Sequence, residues 1–251
     1  MPTVNNPAML VDQSLCVGCE ACTAVCKQIY NIPKGVFRTK INSQETGEFA
    51  DSTMLYNKKA CMHCREAACV MACPTRACHK NEKGLTVFDH RLCIECNYCA
   101  ANCPFGAISF DRGRNHMEKC SLCATRLAEG MEPFCSEVCT SRIIKYGERD
   151  DMLDLARNRV QELRELGHQE AQVYGETEVG GLRVLYVLQD SPDKYGLPVD
   201  PQISLGLQIW RSVPLGPAVL IAGGFILGAN YLYSKMVQGK LEAAKKSAGK
   251  E

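Results

Sequence analysis

The sequence predicts an α+β protein with a cysteine-rich region of four similar groups, followed by a single C-terminal transmembrane helix. Three observations lead to this fold class. All 17 cysteines lie between Cys16 and Cys139, and sixteen of them form four similar groups. The composition then changes near Glu148, where a helical pattern and an apolar strand follow. Finally, residues 213–233 contain no charged side chain.

The spacing of the cysteines reveals an internal repeat of four quartets. The first and third have the spacing C-x2-C-x2-C-x3-C, the second C-x2-C-x4-C-x3-C and the fourth C-x2-C-x11-C-x3-C. Pro74 and Pro104 directly follow the second and third quartets. In chain order the members are Cys16, Cys19, Cys22 and Cys26; Cys61, Cys64, Cys69 and Cys73; Cys93, Cys96, Cys99 and Cys103; and Cys120, Cys123, Cys135 and Cys139. Cys78 lies outside every quartet.

Short repeated CxxC units favour metal ligation over a disulfide framework, which is typical of small secreted domains. The run C-x2-C-x2-C-x3-C-P is typical of bacterial ferredoxins with 4Fe-4S clusters, in which the fourth cysteine ligates the other cluster of a pair. The alternative is structural zinc, but zinc proteins usually group their cysteines as separated CxxC pairs. The sequence therefore predicts iron–sulfur clusters.

The remaining composition excludes several function classes. With 29 basic and 28 acidic side chains, the chain lacks the basic surplus of a nucleic-acid-binding protein. The sequence has no GxGxxG, no P-loop and no recognisable nucleophile or paired-carboxylate setting. These observations indicate electron transfer, with no catalytic centre in the chain itself.

Four ferredoxin-type quartets, the last with a long insertion, resemble the iron–sulfur β subunits of molybdopterin oxidoreductases and related hydrogenases. That family includes subunits of formate dehydrogenase, nitrate reductase, dimethyl sulfoxide reductase and polysulfide reductase. The resemblance covers residues 10–150. It implies two pseudo-twofold-related ferredoxin-like modules, in which the first quartet pairs with the fourth and the second with the third. Four 4Fe-4S clusters are expected.

Carried over to this sequence, the resemblance implies four ligand sets. Set I is Cys16, Cys19, Cys22 and Cys139; set II is Cys120, Cys123, Cys135 and Cys26; set III is Cys61, Cys64, Cys69 and Cys103; set IV is Cys93, Cys96, Cys99 and Cys73. Lys27 and Thr140 replace the proline after the first and fourth quartets, which loosens the match without removing a ligand. We interpret Cys78 as a free structural thiol. For His63, inside the second quartet, a supporting role beside a cluster and a surface position both stay open.

The second half of the chain narrows the resemblance. A 3- and 4-residue apolar spacing predicts an amphipathic helix ending at Gly167. Its apolar positions are Met152, Leu155, Ala156, Val160, Leu163 and Leu166. Residues Leu182–Leu188 predict a buried strand. Together with one C-terminal span, this arrangement is similar to the β subunit of membrane-bound formate dehydrogenase and to related hydrogenase subunits.

The uncharged segment Val213–Tyr233 is long enough to span a bilayer, although a buried core helix is the alternative. Trp210, Tyr231 and Tyr233 lie near its two ends, as interfacial aromatic residues do. No histidine lies in this segment, so any haem ligands must come from a partner. The predicted organisation is residues 1–147 as the double ferredoxin-like domain, 148–209 as an extension and linker, 210–234 as the transmembrane helix and 235–251 as a basic tail.

Charge around the span predicts its orientation. Lys194 and Arg211 precede it, whereas a larger basic group follows it. That group is Lys235, Lys240, Lys245, Lys246 and Lys250. The positive-inside rule then places the C-terminus in the cytoplasm and the cluster domain on the periplasmic side of the inner membrane. The first fifteen residues have no apolar core and no twin arginine, so we expect no signal peptide there. This expectation fits the family's export together with a signal-bearing catalytic subunit; attachment facing the cytoplasm stays open.

The sequence thus predicts a subunit that relays electrons between a large pterin-binding catalytic subunit and a membrane cytochrome b or quinone-reactive subunit. The catalytic partner expected from the resemblance is a molybdenum or tungsten formate dehydrogenase. The alternatives are a NiFe hydrogenase, a reductase of sulfur compounds, or a free polyferredoxin without fixed partners. A lipid bilayer is the further expected partner, and nucleic acid is not.

Overall fold

The structure is a computed structural model that describes residues 4–212 together with Lys235. The strands are β1 Pro7–Asp12, β2 Thr39–Thr46, β3 Thr53–Ala60, β4 Cys78–Lys80, β5 Thr86–Phe88, β6 Ser109–Asp111, β7 His116–Glu118, β8 Ile144–Glu148, β9 Gln172–Tyr174 and β10 Val184–Leu188. The helices are α1 Ala21–Ile29, α2 Ala68–Met71, α3 Tyr98–Ala101, α4 Ala124–Ala128, α5 Phe134–Glu137, α6 Arg149–Glu165 and α7 Leu205–Ser212. Residues up to Ser204 form one compact unit, and α7 belongs to a second.

The first unit contains a four-stranded sheet in the order β8-β1-β10-β9. β1 pairs parallel with β10, and every residue of both strands is buried. Near-continuous apolar strands of this kind are expected where both faces of a sheet are covered. Because β1 precedes the first quartet and β10 follows the last, this pairing brings together the two ends of the cysteine-rich segment.

The two faces of this sheet bury different parts of the chain. Successive side chains of a strand point to opposite faces. Ala8 and Leu10 pack in one core cluster with α6. Met9 and Val11 pack in another cluster that contains buried cysteines such as Cys61. The sheet therefore separates α6 from the cysteine-rich segment.

Three antiparallel hairpins, β2–β3, β4–β5 and β6–β7, carry the chain between quartets. β3 ends at Ala60, directly before the second quartet, and β7 ends at Glu118, two residues before the fourth. Gly47, with φ of 91°, lies at the turn of the longest hairpin, and a side chain there would collide with the Asp51 carbonyl. The hairpins thus determine where two of the four quartets begin.

The predicted amphipathic helix is α6, which ends at Glu165 just before Gly167. Met152, Ala156, Val160 and Leu163 are buried as expected. The prediction was wrong for two positions in the pattern, Leu155 and Leu166, which are 40% and 71% exposed. Leu153 is buried in their place. The helix presents a narrower face to the sheet than the apolar spacing suggested.

The predicted strand Leu182–Leu188 is confirmed as β10, which begins two residues later than expected. Among residues 4–212 and Lys235, no helix combines the length and the apolar character that a membrane crossing requires. The predicted span Val213–Tyr233 and the basic tail after Lys235 lie outside the described residues.

Candidate metal centres

The first two cysteines of each quartet lie on a tight loop with a repeated backbone conformation. The second residue after the first cysteine has positive φ in all four quartets: Gly18, His63, Glu95 and Leu122 have φ of 67°, 49°, 61° and 52°. A left-handed conformation costs a non-glycine residue on the order of 1–3 kcal/mol and persists only where the surroundings require it. Because four loops repeat it, the internal repeat of the sequence is also a repeat of backbone geometry.

The later cysteines of each quartet lie on or beside a short helix. Cys69, Cys99 and Cys135 are carried by α2, α3 and α5, and Cys22 by α1. In every quartet the fourth cysteine follows the third by four residues, which is about one helical turn. Cys26 lies within α1, whereas Cys73, Cys103 and Cys139 follow two residues after the ends of α2, α3 and α5.

The structure brings the cysteines together across quartets. Burial raises the pKa of Cys16, and the neighbouring thiols of Cys22, Cys19 and Cys139 raise it further. These four residues are the members of set I. Cys139 belongs to the fourth quartet, so a cysteine more than a hundred positions away completes the environment of the first.

Set II encloses a cavity. Its four cysteines, Cys26, Cys120, Cys123 and Cys135, all line the same internal space. Burial raises the pKa of Cys26 to about 12, and the other three thiols add to the shift. The fourth cysteine of the first quartet thus lies among the cysteines of the fourth quartet.

Sets III and IV show the same exchange in the second module. Burial raises the pKa of Cys64, followed by the thiols of Cys61, Cys69 and Cys103. For Cys99, burial raises the pKa to about 12, and the further contributors are Cys69, Cys73 and Cys93. Cys96 is exposed on the loop between Cys93 and Cys99.

The four sets also follow one another in space. A thiol of set I, Cys22, lies close enough to raise the pKa of Cys135 in set II. Cys120 of set II does the same to Cys61 of set III, and Cys69 of set III does so to Cys99 of set IV. Packing agrees with this order, because cysteines of sets I, II and III share one buried cluster and cysteines of sets III and IV share another. The spatial order of the sets is therefore I, II, III and IV.

The donor chemistry of these sets fits an iron–sulfur cluster. Each set offers four sulfur donors, and at least one cysteine of each set is buried, whereas Cys19 and Cys96 are exposed. In sets II and III, burial and mutual repulsion oppose the ionised thiols. Thiolates are the ligands of 4Fe-4S clusters, and a bound cationic metal centre reverses this repulsion. Several backbone N–H groups also point at sulfur: those of Leu122 to Cys120 Sγ at 3.3 Å, Cys78 to Cys73 Sγ at 3.4 Å and Ala107 to Cys103 Sγ at 3.5 Å.

Cys78 lies between the two sets of the second module. It is fully buried, and its N–H donates to Cys73 Sγ. A side-chain hydrogen bond between the two thiols lowers the pKa of Cys69 and raises the pKa of Cys78. The thiol of Cys78 therefore donates to a sulfur of set III, a contact that its position outside the quartets did not reveal.

His63 is buried, which decides between the two positions left open by the sequence. Its Nδ1 accepts a hydrogen bond from the Thr86 N–H at 3.1 Å, so Nε2 carries the ring proton. Burial, reinforced by Lys119 and Lys80, lowers the pKa of His63. The residue is a neutral histidine packed inside the second quartet.

Several charged residues near the sets are unexpectedly buried. Lys58 and Lys119 are 1% and 3% exposed. Glu118 is also buried, and its carboxylate accepts from Arg38 Nε at 2.6 Å and contacts His116 Nε2 at 3.0 Å. Two adjacent lysines, KK, before the second quartet and the EKC sequence at the fourth are the only sequence features that mark these positions.

Comparison with known families agrees with this geometry. Two family descriptions, each of a 4Fe-4S dicluster domain, match residues 8–77 and residues 52–149. Together they span the four quartets, and they fit the predicted pair of ferredoxin-like modules. The chain is therefore an iron–sulfur protein with 4Fe-4S dicluster domains.

The similar proteins are subunits of oxidoreductases. The iron–sulfur subunit of the nitrate-inducible formate dehydrogenase of Escherichia coli K12 is 36% identical over 239 residues, which cover 87% of this chain and 80% of that protein. The formate dehydrogenase iron–sulfur subunit of Haemophilus influenzae is 35% identical over 253 residues, 90% of this chain and 80% of that protein. The thiosulfate reductase electron transfer subunit of Salmonella typhi is 37% identical over 150 residues, 59% of this chain and 78% of that protein.

The chain belongs to the family of iron–sulfur subunits of formate dehydrogenases and related reductases. The resemblance inferred from the quartets is thereby confirmed. Its function is electron transfer within an oxidoreductase complex, as the sequence predicted.

Proposed function

We propose that the chain relays electrons through four 4Fe-4S clusters held by sets I, II, III and IV. The observation that carries this proposal is the packing of the sets, since cysteines of sets I, II and III share one buried cluster and cysteines of sets III and IV share another. A cluster supplies one-electron redox chemistry when bound. The chain's own residues hold the sulfur ligands in place, bury at least one cysteine of each set and direct backbone N–H groups at some of the sulfur atoms.

The proposed catalytic partner is a large pterin-binding subunit of a molybdenum or tungsten formate dehydrogenase. Coverage of the relatives supports this choice over a reductase of sulfur compounds. Formate dehydrogenase relatives match 82–90% of this chain. The thiosulfate, polysulfide and dimethyl sulfoxide reductase relatives match 57–59%, about the length of the cysteine-rich segment. The formate dehydrogenase relatives therefore share the extension as well as the quartets.

The proposed electron exchange partner at the other end is a membrane cytochrome b or quinone-reactive subunit. The proposal includes a span at Val213–Tyr233, supported by the absence of charge over this segment. It also includes a cytoplasmic C-terminus and a periplasmic cluster domain, supported by the basic residues that follow the span.

Anaerobic purification of the tagged chain from detergent-solubilised membranes tests these partners. We expect a large molybdenum- or tungsten-containing subunit to co-purify, and we expect formate to bleach the visible absorption of the clusters in the complex. Hydrogen in place of formate is the matched control, because a hydrogenase partner would respond to it. A nickel-containing partner, or bleaching by hydrogen alone, would contradict the assignment to formate dehydrogenase. Recovery of the chain from the soluble fraction without partners would favour a free polyferredoxin.

A further inference from the structure

Two buried lysines, Lys58 and Lys119, lie beside the cysteine sets without a carboxylate partner. Among the residues that the structure describes, neither forms an ion pair with Asp or Glu. The nearby Arg38 differs, because its guanidinium is neutralised by Glu118 at 2.6 Å. A buried cation is costly unless an opposite charge compensates it. The arrangement therefore points to another source of negative charge.

Lys58 is directed at the first module. It lines the cavity enclosed by the four cysteines of set II. Its backbone is held on both sides, since its N–H donates to Gln13 Oε1 at 3.3 Å and its carbonyl accepts from the Tyr186 hydroxyl. Its side chain is 1% exposed, so its charge faces the four sulfur donors around this cavity rather than water.

Lys119 is directed at the second module. Its Nζ donates to the Cys120 carbonyl at 2.9 Å and to the Thr86 carbonyl. The N–H of Thr86 in turn donates to His63 Nδ1, inside the second quartet. Burial raises the pKa of Cys61, and Lys119 is the strongest influence in the opposite direction. The Lys119 Nζ therefore reaches into the second module, where Thr86 connects it to His63 between Cys61 and Cys64 of set III.

The two positions are reciprocal. Lys58 lies three residues before Cys61 of set III but acts on set II. Lys119 directly precedes Cys120 of set II but acts on set III. Sets II and III are also the pair that connects the two modules, through Cys120 and Cys61. Each module thus supplies one lysine to the surroundings of a cysteine set in the other module, where sets II and III are neighbours.

A cubane held by four thiolates carries a net negative charge, and one-electron reduction adds another negative charge. Net charge and burial are among the factors that set the reduction potential of a cluster. A cation in a poorly screened interior stabilises the more negative, reduced form. Its removal lowers the potential.

We propose that the fixed positive charges of Lys58 and Lys119 raise the reduction potentials of the clusters at sets II and III. The two potentials are thereby matched for electron transfer between the modules. This inference rests on the proposed function, because it requires clusters at these sets. One electron leaves the reduced centre at one set and reduces the oxidised centre at the next, and the lysines neither gain nor lose a proton. Through Cys22, Lys58 also acts on set I.

Redox titration of the full-length chain, purified anaerobically with its clusters and followed by electron paramagnetic resonance, tests this inference. The neutral variants are Lys58→Met and Lys119→Met, and the charge-retaining variants are Lys58→Arg and Lys119→Arg. Lys40→Met is the matched control, because Lys40 is exposed on β2 and its charge is screened by water. A cysteine-to-serine variant of each set assigns each signal to its set.

For Lys58→Met we expect the equilibrium constant for reduction of the set II cluster to fall at least tenfold, which lowers its potential by about 59 mV for a one-electron couple. The fall in potential should be smaller at set I and absent at set IV. For Lys119→Met the fall is expected at set III. The arginine variants and Lys40→Met should keep the original potentials. Should Lys58→Met fail to load iron, Lys58→Gln removes the same charge with a polar side chain, and Lys119→Met tests the reciprocal position independently.

Unchanged potentials in the neutral variants at full iron content would overturn the inference, as would an equal fall in the arginine variants, which would indicate packing rather than charge. If the proposed function is wrong, the result is different: the unaltered chain, with both lysines in place, would itself lack the four clusters.

Discussion

Replacing Cys103 by serine is expected to remove the cluster of set III and to leave the cluster of set IV in place. Cys103 follows Cys99 by one helical turn in the third quartet, yet it belongs to the surroundings of Cys64 in the second. Because set III lies between sets II and IV in space, loss of its cluster interrupts the relay. We expect the variant to lose about one quarter of its iron and most of its electron transfer from end to end.

Cys78→Ser is the matched control for this variant. Cys78 is buried within the same module and donates to Cys69, but it lies outside every set. Iron content and electron paramagnetic resonance should show all four clusters in the control. If the Cys103→Ser variant loses the paramagnetic signal of the set IV cluster and keeps that of set III, the exchange of cysteines between the quartets is refuted.

Removal of the iron is expected to unfold the cysteine-rich segment. Cysteines form much of its interior, since Cys22, Cys61, Cys69, Cys99 and Cys135 are all buried. The helices α2, α3 and α5 have four residues each, far fewer than the roughly 12–15 that an isolated helix needs in water. A structural metal can contribute on the order of 10 kcal/mol to folding, which is comparable to the whole net stability of a domain.

Anaerobic treatment with a strong iron chelator, followed by hydrogen exchange and thermal denaturation, measures this dependence. Amide protection should disappear throughout α2, α3 and α5, and the cooperative thermal transition should be lost. Incubation under the same conditions without chelator is the control. A metal-free chain that keeps its thermal transition would show that the protein fold, rather than the clusters, holds the sets together.

The parts of the fold with a strong local pattern could be predicted from the sequence. The spacing of α6 and the apolar run of β10 were sufficient to identify both elements. Leu155 and Leu166 were assigned to the wrong face because apolar spacing does not reveal how wide a face the neighbouring sheet covers. The pairing of β1 with β10 could not be predicted from local pattern, since it joins residues near both ends of the first unit.

The cysteines of the candidate site could also be predicted from their local spacing, but the residues around them could not. The quartets identified the cysteines, and the family resemblance supplied the exchange between quartets. The burial of Lys58, Lys119 and His63 was not predictable, because such side chains usually lie at the surface unless they are paired. Their positions depend on contacts between modules, such as that of Lys119 with Thr86, which spacing along the chain does not encode.

The central claim is that this chain holds four clusters in one relay. Iron and sulfide analysis of the anaerobically purified full-length chain, combined with electron paramagnetic resonance during stepwise reduction, tests it most directly. We predict about sixteen iron atoms per chain and four magnetically interacting 4Fe-4S signals. Zinc in place of iron, without the broad visible absorption of iron–sulfur clusters, would contradict the account.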